Sequence, residues 1–390
     1  MTPNADAAGD ADGAGDTDGA TDADSGGDAA DYHDALDTEG RRLLFDLVST
    51  PSPSGEEEAA AERLAAFFEA HGRDVFVDDV GNVRAPADDA VLLTSHVDTV
   101  PGEIPVRVES EADGDGADDE APDGGPVLWG RGSVDATGPL AAMAVAAVET
   151  GVSFAGVVGE ETSSRGARHL VADRDEPDAV VNGEPSGWDA VTLGYRGFLA
   201  GTYVVTSESG HTSRPDPNAI EHGMNWWRRV ESAFEADDYE AVFEQVTTKP
   251  VGFDGGLSED GLSMEATMDV QFRVPPSLEP ADVRERADAE LDEGTVHWEE
   301  PIPPVMTSPR SDVATAFRAA IRDVGGDPRL LRKTGTADVN LYADAWDCPM
   351  ATYGPGNSEL DHAPDERLPL AEFDRAVDVL CTVSERFLDS

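Results

Sequence analysis

The sequence predicts an α/β protein whose larger domain is built on a largely parallel central sheet, with a smaller α+β domain inserted into it. Three observations carry this expectation. Strand-like and helix-like segments alternate ahead of residue 195 and again after 306. Between 196 and 305 the texture changes to half-exposed alternating strands paired with helices. Apolar runs such as "AVLLTSHV" and "GPLAAMAVAAVE" persist in a chain that is 39% hydrophobic, and a disordered acidic chain would lack them. With 390 residues there is room for two domains and a sizeable core.

Residues 1–30 are Ala, Asp, Gly, Thr and Ser with almost nothing apolar, and read as a disordered acidic tail. The larger domain is expected over 31–195 and 306–390, and the inserted one over 196–305. "DALDTEGRRLLFDLVST" reads as a helix. "SGEEEAAAERLAAFFEAHG" reads as another, with Ser54 as N-cap, glutamates in the first turn and Gly72 as the stop. "DVFVDDVGNVRA" is expected to be a hairpin and "AVLLTSHVD" a buried strand. Residues 109–125 read as an acidic surface loop. "GPLAAMAVAAVETG" is a helix of small apolar residues suited to close packing on a sheet. "VSFAGVVGEE" and "DAVVNGE" are strands flanking the helix "SSRGARHLVAD". In the insertion, "FLAGTYVVTSES" and "LSMEATMDVQFRVPP" alternate as strands. "PDPNAIEHGMNWWRRVESAFEA", with Pro217 near its start, and "PADVRERADAELDE" read as helices. Trp226 and Trp227 are expected to pack the first of these. "SPRSDVATAFRAAIRDVGG" resumes the α/β pattern, and "LAEFDRAVDVLCTVSERFL" closes it as an amphipathic helix.

Lys plus Arg is 27 against 81 Asp plus Glu, a formal net charge of −54, and only Lys249 and Lys333 are lysines. The acid is spread over the whole length. This is the pattern of a protein adapted to molar salt, where carboxylates hold water and a Debye length of ~3 Å screens their repulsion. Nucleic acid and anionic membranes are poor partners for such a surface. Cys348 and Cys381 form neither a disulfide framework nor a zinc-finger spacing. The N-terminus lacks the basic and apolar segments of a signal peptide. No apolar run approaches the ~20 residues of a membrane span. A soluble cytoplasmic protein of a halophilic archaeon is expected.

Against this acidic background, position separates chemistry from solvation. In "TSHVDTVPG", His96 and Asp98 leave a strand end on the same face, as a metal-bound imidazole and its supporting acid would. Alone, H-x-D is a common chance pattern. In "LWGRGSVDATGPLAAM", Asp135 lies between a Gly-rich turn and a helix start, where an acid also serves as a helix cap. Glu160 and Glu161 follow the buried run "FAGVVG", unlike the acids of "GEEEAA" and "HWEEP", which read as a helix start and an exposed bend. Carboxylates at the carboxyl end of such a strand point into the crevice where α/β sheets bind ligands. Glu184 repeats the design after "AVVNG", and His362 sits in a loop before the last helix. Five of these seven residues could bind two divalent metals with one carboxylate bridging, leaving two for supporting and base roles.

Taken together, these motifs make the chain resemble the co-catalytic zinc metallopeptidases that include acetylornithine deacetylase, succinyl-diaminopimelate desuccinylase and aminoacylase. The resemblance runs from about residue 38 to the end, with every motif in the family order. "LWGRGSVDATGPLAAM", "NGEPSGWDAVTLGYRG" and "KTGTADVNLYADAW" are most similar to the LysW-lysine/ornithine hydrolases, which release lysine or ornithine from the small acidic amino-group carrier protein LysW. The resemblance implies a catalytic domain with an inserted lid or dimerisation domain. It also implies a homodimer, and two divalent metals per subunit, Zn2+ with Co2+ as an alternative. It implies that His96, Asp135 and Glu184 bind one metal. Asp135 then bridges to the second, which Glu161 and His362 complete. Asp98 orients His96, and Glu160 is the general base and acid. His211 in "SESGHTSRPDPNAIE" matches a family histidine that reaches the partner subunit's site, where it binds the substrate carbonyl or developing oxyanion; otherwise it is a surface histidine.

Arg273 in "QFRVPP" is either a contact for a substrate carboxylate or a surface strand residue. Lys333, Thr334, Asp338 and Asn340 could line the substrate pocket, with Asp338 suited to a cationic amine. Carrier and enzyme would both be acidic, so Arg196, Arg214, Arg228 or Arg229 could provide a docking patch. The same chemistry on free N-acyl amino acids such as acetylornithine, or on small peptides, is the alternative function.

Overall fold

The computed structural model describes residues 32–110, 125–211, 213, 215–235 and 241–389. The expected acidic tail, most of the acidic loop and Arg214 lie outside these residues.

Helices α1 (Glu39–Val48) and α2 (Glu58–Ala70) lead into the hairpin β1 (Phe76–Val77) and β2 (Val83–Ala85), then β3 (Asp88–His96). After β4 (Arg107–Ser110) and β5 (Pro126–Trp129) come α3 (Thr137–Thr150), β6 (Val152–Val157), α4 (Arg165–Asp173), β7 (Val180–Gly183) and β8 (Ala190–Tyr195). The chain continues through β9 (Gly197–Glu208), α5 (Ala219–Ala233), β10 (Thr247–Leu257), β11 (Ser263–Val274), α6 (Pro280–Asp288) and β12 (Thr295–Trp298). It closes with β13 (Val305–Met306), α7 (Asp312–Asp323), β14 (Arg329–Lys333), α8 (Val339–Ala345), β15 (Met350–Thr352), β16 (Arg367–Pro369) and α9 (Leu370–Leu388).

The main sheet runs β1-β2-β6-β3-β7-β15-β8-β13, with β14 also on β8. Its centre, β6-β3-β7-β15, is parallel, while the β1-β2, β2-β6, β15-β8 and β13-β8 pairings are antiparallel. β6 and β7 are buried along their whole length, as are the last six residues of β3, which is what helices on both faces demand. On one face α3 packs against α1, α9 and β3. Its alanines are buried from Ala141 to Ala147, so small side chains let it approach closely. On the other face Ala167 and Leu170 of α4 and Tyr342 of α8 join Leu92, Val157 and Val180 in a second apolar cluster.

The expected insertion forms a separate four-stranded antiparallel sheet, β10-β11-β9-β12, with its own core. Trp226 of α5 stacks on Tyr203 at 4.6 Å and its indole N–H donates to the Ala287 carbonyl, so the tryptophans pack this layer as the sequence predicts. Two strands were not legible. β10 carries Lys249, Pro250 and three glycines and is mostly exposed, so its alternation is masked. "HWEEP", read as an exposed bend, contains the end of β12.

One helix start also differs. α2 is capped by Glu57, not Ser54. Gly55, at φ 94°, turns the chain before the helix begins, and the Ser54 hydroxyl instead donates to Asp98 Oδ2 at 2.7 Å. Among the described residues, no helix is long and apolar enough to cross a membrane.

Candidate metal centre

Parallel strands deliver their carboxyl ends to one edge of a sheet. β3 ends in His96, β6 is followed within four residues by Glu160 and Glu161, and β7 is followed at once by Glu184. The loop between β5 and α3 brings Asp135 to the same edge, and the loop between β15 and β16 brings His362, which adopts φ 60°.

Asp135 is the hub. Its Oδ1 lies 3.2 Å from His96 Nε2, and its Oδ2 lies 3.2 Å from His362 Nε2. Glu184 Oε1 stands 3.9 Å from His96 Nε2, and Glu161 Oε2 stands 3.1 Å from His362 Nε2. Two candidate ligand sets therefore share one carboxylate: His96, Asp135 and Glu184 on one side, and Asp135, Glu161 and His362 on the other. Within each set the donor atoms lie within 4.8 Å of one another. Glu160 also falls within such a distance of His96 and Glu161.

Asp98 supports the centre differently from the simplest expectation. His96 Nδ1 is 2.8 Å from the Asp98 backbone carbonyl and 3.6 Å from its carboxylate. That carboxylate accepts hydrogen bonds from the Glu160 N–H at 3.0 Å and the Glu161 N–H at 3.2 Å. One residue thus fixes both the imidazole tautomer and the backbone of the acidic pair. Burial would raise its carboxyl, but the neighbouring His96 imidazole, the Ser54 hydroxyl and the Glu160 N–H hold it down at about 2.

A residue the sequence reading did not single out holds the hub itself. Glu366 is fully buried and accepts from the N–H groups of Gly132 at 3.1 Å, Val134 at 2.8 Å and Asp135 at 3.0 Å. It also pairs with Arg131 at 2.9 Å.

The charges test whether dications fit. Burial and the neighbouring Asp135 push Glu184 up to about 8, and burial and Glu184 push Glu160 well above the usual range. Burial and Asp135 likewise bring Asp361 to about 7. Burial would lower the His96 imidazole, but Asp135 and Asp98 outweigh it and hold it high. Stacked carboxylates with two imidazoles and no lysine or arginine among the five donors match hard, divalent, N/O-loving cations. A pH effect follows for chelated protein. The folded state binds protons on Glu184 that the unfolded chain, with an ordinary carboxyl near ~4.3, has released. Raising the pH from about 5 to 8 therefore favours unfolding. The melting temperature of chelated protein should fall over that range relative to metal-loaded protein; a parallel pH dependence of the two would contradict this account.

The model of peptidase family M20/M25/M40 matches residues 92–386. The chain belongs to this family. A [LysW]-lysine hydrolase of Deinococcus radiodurans is 39% identical over 376 residues, covering 89% of this chain and 97% of the relative. A Thermococcus kodakarensis protein, provisionally named a [LysW]-lysine/[LysW]-ornithine hydrolase, is 38% identical over 344 residues, covering 87% and 89%. Among solved structures, an M20 family metallo-carboxypeptidase from Sulfolobus solfataricus superposes with a TM-score of 0.70 at 18% identity, covering 90% of this chain and 100% of that one. A Bacillus subtilis M20 family peptidase, described as dinuclear metal binding, superposes with a TM-score of 0.65 at 14% identity, covering 91% of this chain and 99% of that one.

In this M20 chain the centre opens into a cleft of about 910 Å³. Arg273, Lys333 and Thr334 line it, as the sequence allowed. Arg273 lies over Phe198, 4.8 Å from the ring centre, and donates to Thr336 at 3.2 Å. Glu299 and Glu300 line the cleft as well, so the acids of "HWEEP" belong to the site's wall.

The structure corrects the expectations for Asp338, Asn340, Arg196 and Arg229, and leaves those for Arg228 and His211 open. Asp338, just ahead of α8, and Asn340, in its first turn, are buried and do not line the cleft. Asn340 donates to the Arg196 and Pro303 carbonyls rather than to a ligand. Arg196 is no surface docking residue: it is 5% exposed and donates to the carbonyls of Thr334, Val242 and Gln245. Arg229 is engaged with Glu290 and Asp292, while Arg228 is exposed. His211 stands exposed outside the cleft, its Nδ1 2.9 Å from Ser213 Oγ.

Proposed function

We propose that this M20 enzyme is a metal-dependent amidohydrolase that releases lysine, ornithine or both from a LysW-type acidic carrier protein. The reading is carried by the shared-carboxylate geometry around Asp135, in a chain 39% identical to a [LysW]-lysine hydrolase over nearly its whole length. His96, Asp135 and Glu184 would hold one divalent ion, and Asp135, Glu161 and His362 the other. Such ions, when bound, polarise a carbonyl and lower the pKa of a coordinated water toward neutrality.

The protein's own groups do the rest. Glu160, whose backbone is pinned by Asp98, takes a proton from the attacking water and later passes it to the leaving amine. Burial and the neighbouring Glu184 raise its basicity above that of an ordinary carboxylate. Asp98 keeps His96 in the tautomer that presents Nε2. Arg273 and Lys333 supply positive charge to the carboxylates of an amino acid and an acidic carrier terminus.

The four-stranded sheet acts as the lid and dimerisation layer, and the enzyme works as a homodimer. His211, exposed and away from its own cleft, serves the partner's cleft by donating to the acyl oxygen. Zinc is the working metal, with cobalt a competent substitute, and the setting is the salt-rich cytoplasm of a halophilic archaeon. The net charge of −54 supports that setting.

Turnover in molar KCl on carrier-linked lysine, carrier-linked ornithine and acetylornithine tests the substrate. Carrier-linked substrate should be cleaved in a chelator-sensitive reaction, with acetylornithine left nearly untouched. The reverse preference would replace the carrier reading with an N-acyl amino acid deacylase.

A further inference from the structure

The acidic pair Glu160 and Glu161 sits on a turn, Gly159 to Ser164, between β6 and α4. Both ends of this turn are left-handed: Gly159 has φ 74°, and Ser164, which is no glycine, has φ 50°. The Gly159 carbonyl accepts from the N–H groups of Ser163 at 3.0 Å and Ser164 at 2.6 Å, which folds the turn back on itself. Such a backbone persists only where its surroundings hold it. Asp98 supplies one tie, through the N–H groups of Glu160 and Glu161. A second tie crosses Gly159. The Arg165 side chain lies against this glycine, and a Cβ there would run into the guanidinium and would meet Arg165 Cγ at 3.1 Å. Arg165 Nη2 lies 3.0 Å from each oxygen of the Glu57 carboxylate and donates to Oε2. Glu57 is 5% exposed, and among the described residues Arg165 is its one side-chain partner. A buried carboxylate holds its cation firmly, because parting them strands a charge out of water. One segment anchors both ties, since Ser54 donates to Asp98 and Glu57 receives Arg165. The Thr99 N–H fixes that segment in turn, donating to the Ser52 carbonyl at 2.9 Å.

We propose that Arg165 is a positioning residue: held across Gly159 by Glu57, its side chain fixes the turn and so aims the Glu160 carboxyl at the reacting centre. The proposal rests on the reading of Glu160 as the acid–base group. Arg165 does not line the cleft, although Ser164 and Arg168 on either side of it do, so it acts through the turn and not on substrate. Glu161 has a fixed point of its own in His362. The Glu160 carboxyl makes no hydrogen bond among the described residues, so its direction follows its backbone.

Arg165→Met keeps a stem over Gly159 and removes the guanidinium. In metal-loaded protein well below its melting temperature, kcat should fall about 10- to 100-fold, as an ångström of misplacement does. KM should stay within about threefold and metal stoichiometry should not change. The melting temperature should fall, because Glu57 loses its cation, and adding Glu57→Gln should restore it without restoring kcat. In a Glu160→Gln background, Arg165→Met should lower kcat by less than about threefold, because the group it positions is gone. A kcat near wild type in Arg165→Met would overturn the proposal, as would a rise in KM alone. Recovery of kcat together with the melting temperature on adding Glu57→Gln would assign the pair to the fold, and depleted metal would assign it to the Glu161 ligand; either would overturn the proposal. A full further loss in the Glu160→Gln background would do the same. All variants are assayed on whichever of the carrier-linked and N-acetyl substrates the wild-type enzyme cleaves. Failure on the carrier substrate thus refutes the substrate reading without touching Arg165. An unimpaired Glu160→Gln refutes the base and leaves Arg165 nothing to position, whereas an impaired Glu160→Gln beside an unimpaired Arg165→Met refutes the present proposal alone.

Discussion

Glu160→Gln is expected to lower turnover by about 10²- to 10⁴-fold, the usual worth of a positioned acid–base group, while the protein keeps its metal and its fold. The substitution is isosteric. The Glu160 N–H that Asp98 holds at 3.0 Å belongs to the backbone and is untouched. The two ligand sets built on Asp135 do not require the Glu160 side chain. Replacing a buried carboxylate with a neutral amide also relieves repulsion from Glu184, so chelated protein should melt no lower than wild type. Glu161→Gln gives the contrast. Glu161 lies 3.1 Å from His362 Nε2 in the second set, so its loss should deplete metal together with activity. Metal stoichiometry, melting temperature and single-turnover rates on both variants would separate the roles. Because Glu160 also stands near His96 and Glu161, it has a competing reading as a ligand. Loss of one metal equivalent in Glu160→Gln would establish that reading, and turnover within tenfold of wild type would remove the proposed base.

The order His96, Asp135, Glu160, Glu161, Glu184, His362 was legible because four of its members end or follow three buried apolar strands. The parallel centre of the sheet then forces those strand ends together. Local pattern sufficed where backbone topology did the gathering. It failed where a side chain's role is set by a distant partner. Asp98 looks in sequence like a simple companion of His96, yet its carboxylate is spent on the N–H groups of Glu160 and Glu161, more than sixty residues on. Asp338 and Asn340 read as pocket residues because they are polar and near Lys333, but both are buried where α8 begins. Arg196, surface-like by composition, is used up on loop carbonyls.

Glu366 is the clearest instance, and removing it should be among the most damaging changes in the chain. It lies in "GNSELDHAPDE", four residues beyond His362. Its partners lie 231 to 235 residues earlier. One carboxylate closes the Gly132–Asp135 turn through three N–H bonds and neutralises Arg131, so the loop that presents Asp135 is tied to the loop that presents His362. Glu366→Ala leaves three buried N–H groups unsatisfied and a guanidinium with, among the described residues, the Gly102 and Ala363 carbonyls. Breaking a buried ion pair of this kind costs about 3–5 kcal/mol. The shared ligand Asp135 also loses its support, which should weaken metal binding roughly 10- to 100-fold in whatever protein remains folded. Glu366→Gln keeps one acceptor oxygen but turns an amide N–H₂ toward donors. It should therefore recover only part of the stability. Denaturant titration of the three proteins, with metal affinity measured by calorimetry on each, checks both halves. A Glu366→Ala protein as stable as wild type, or one that is destabilised yet binds metal with native affinity, would show that the two loops are not coupled through this side chain.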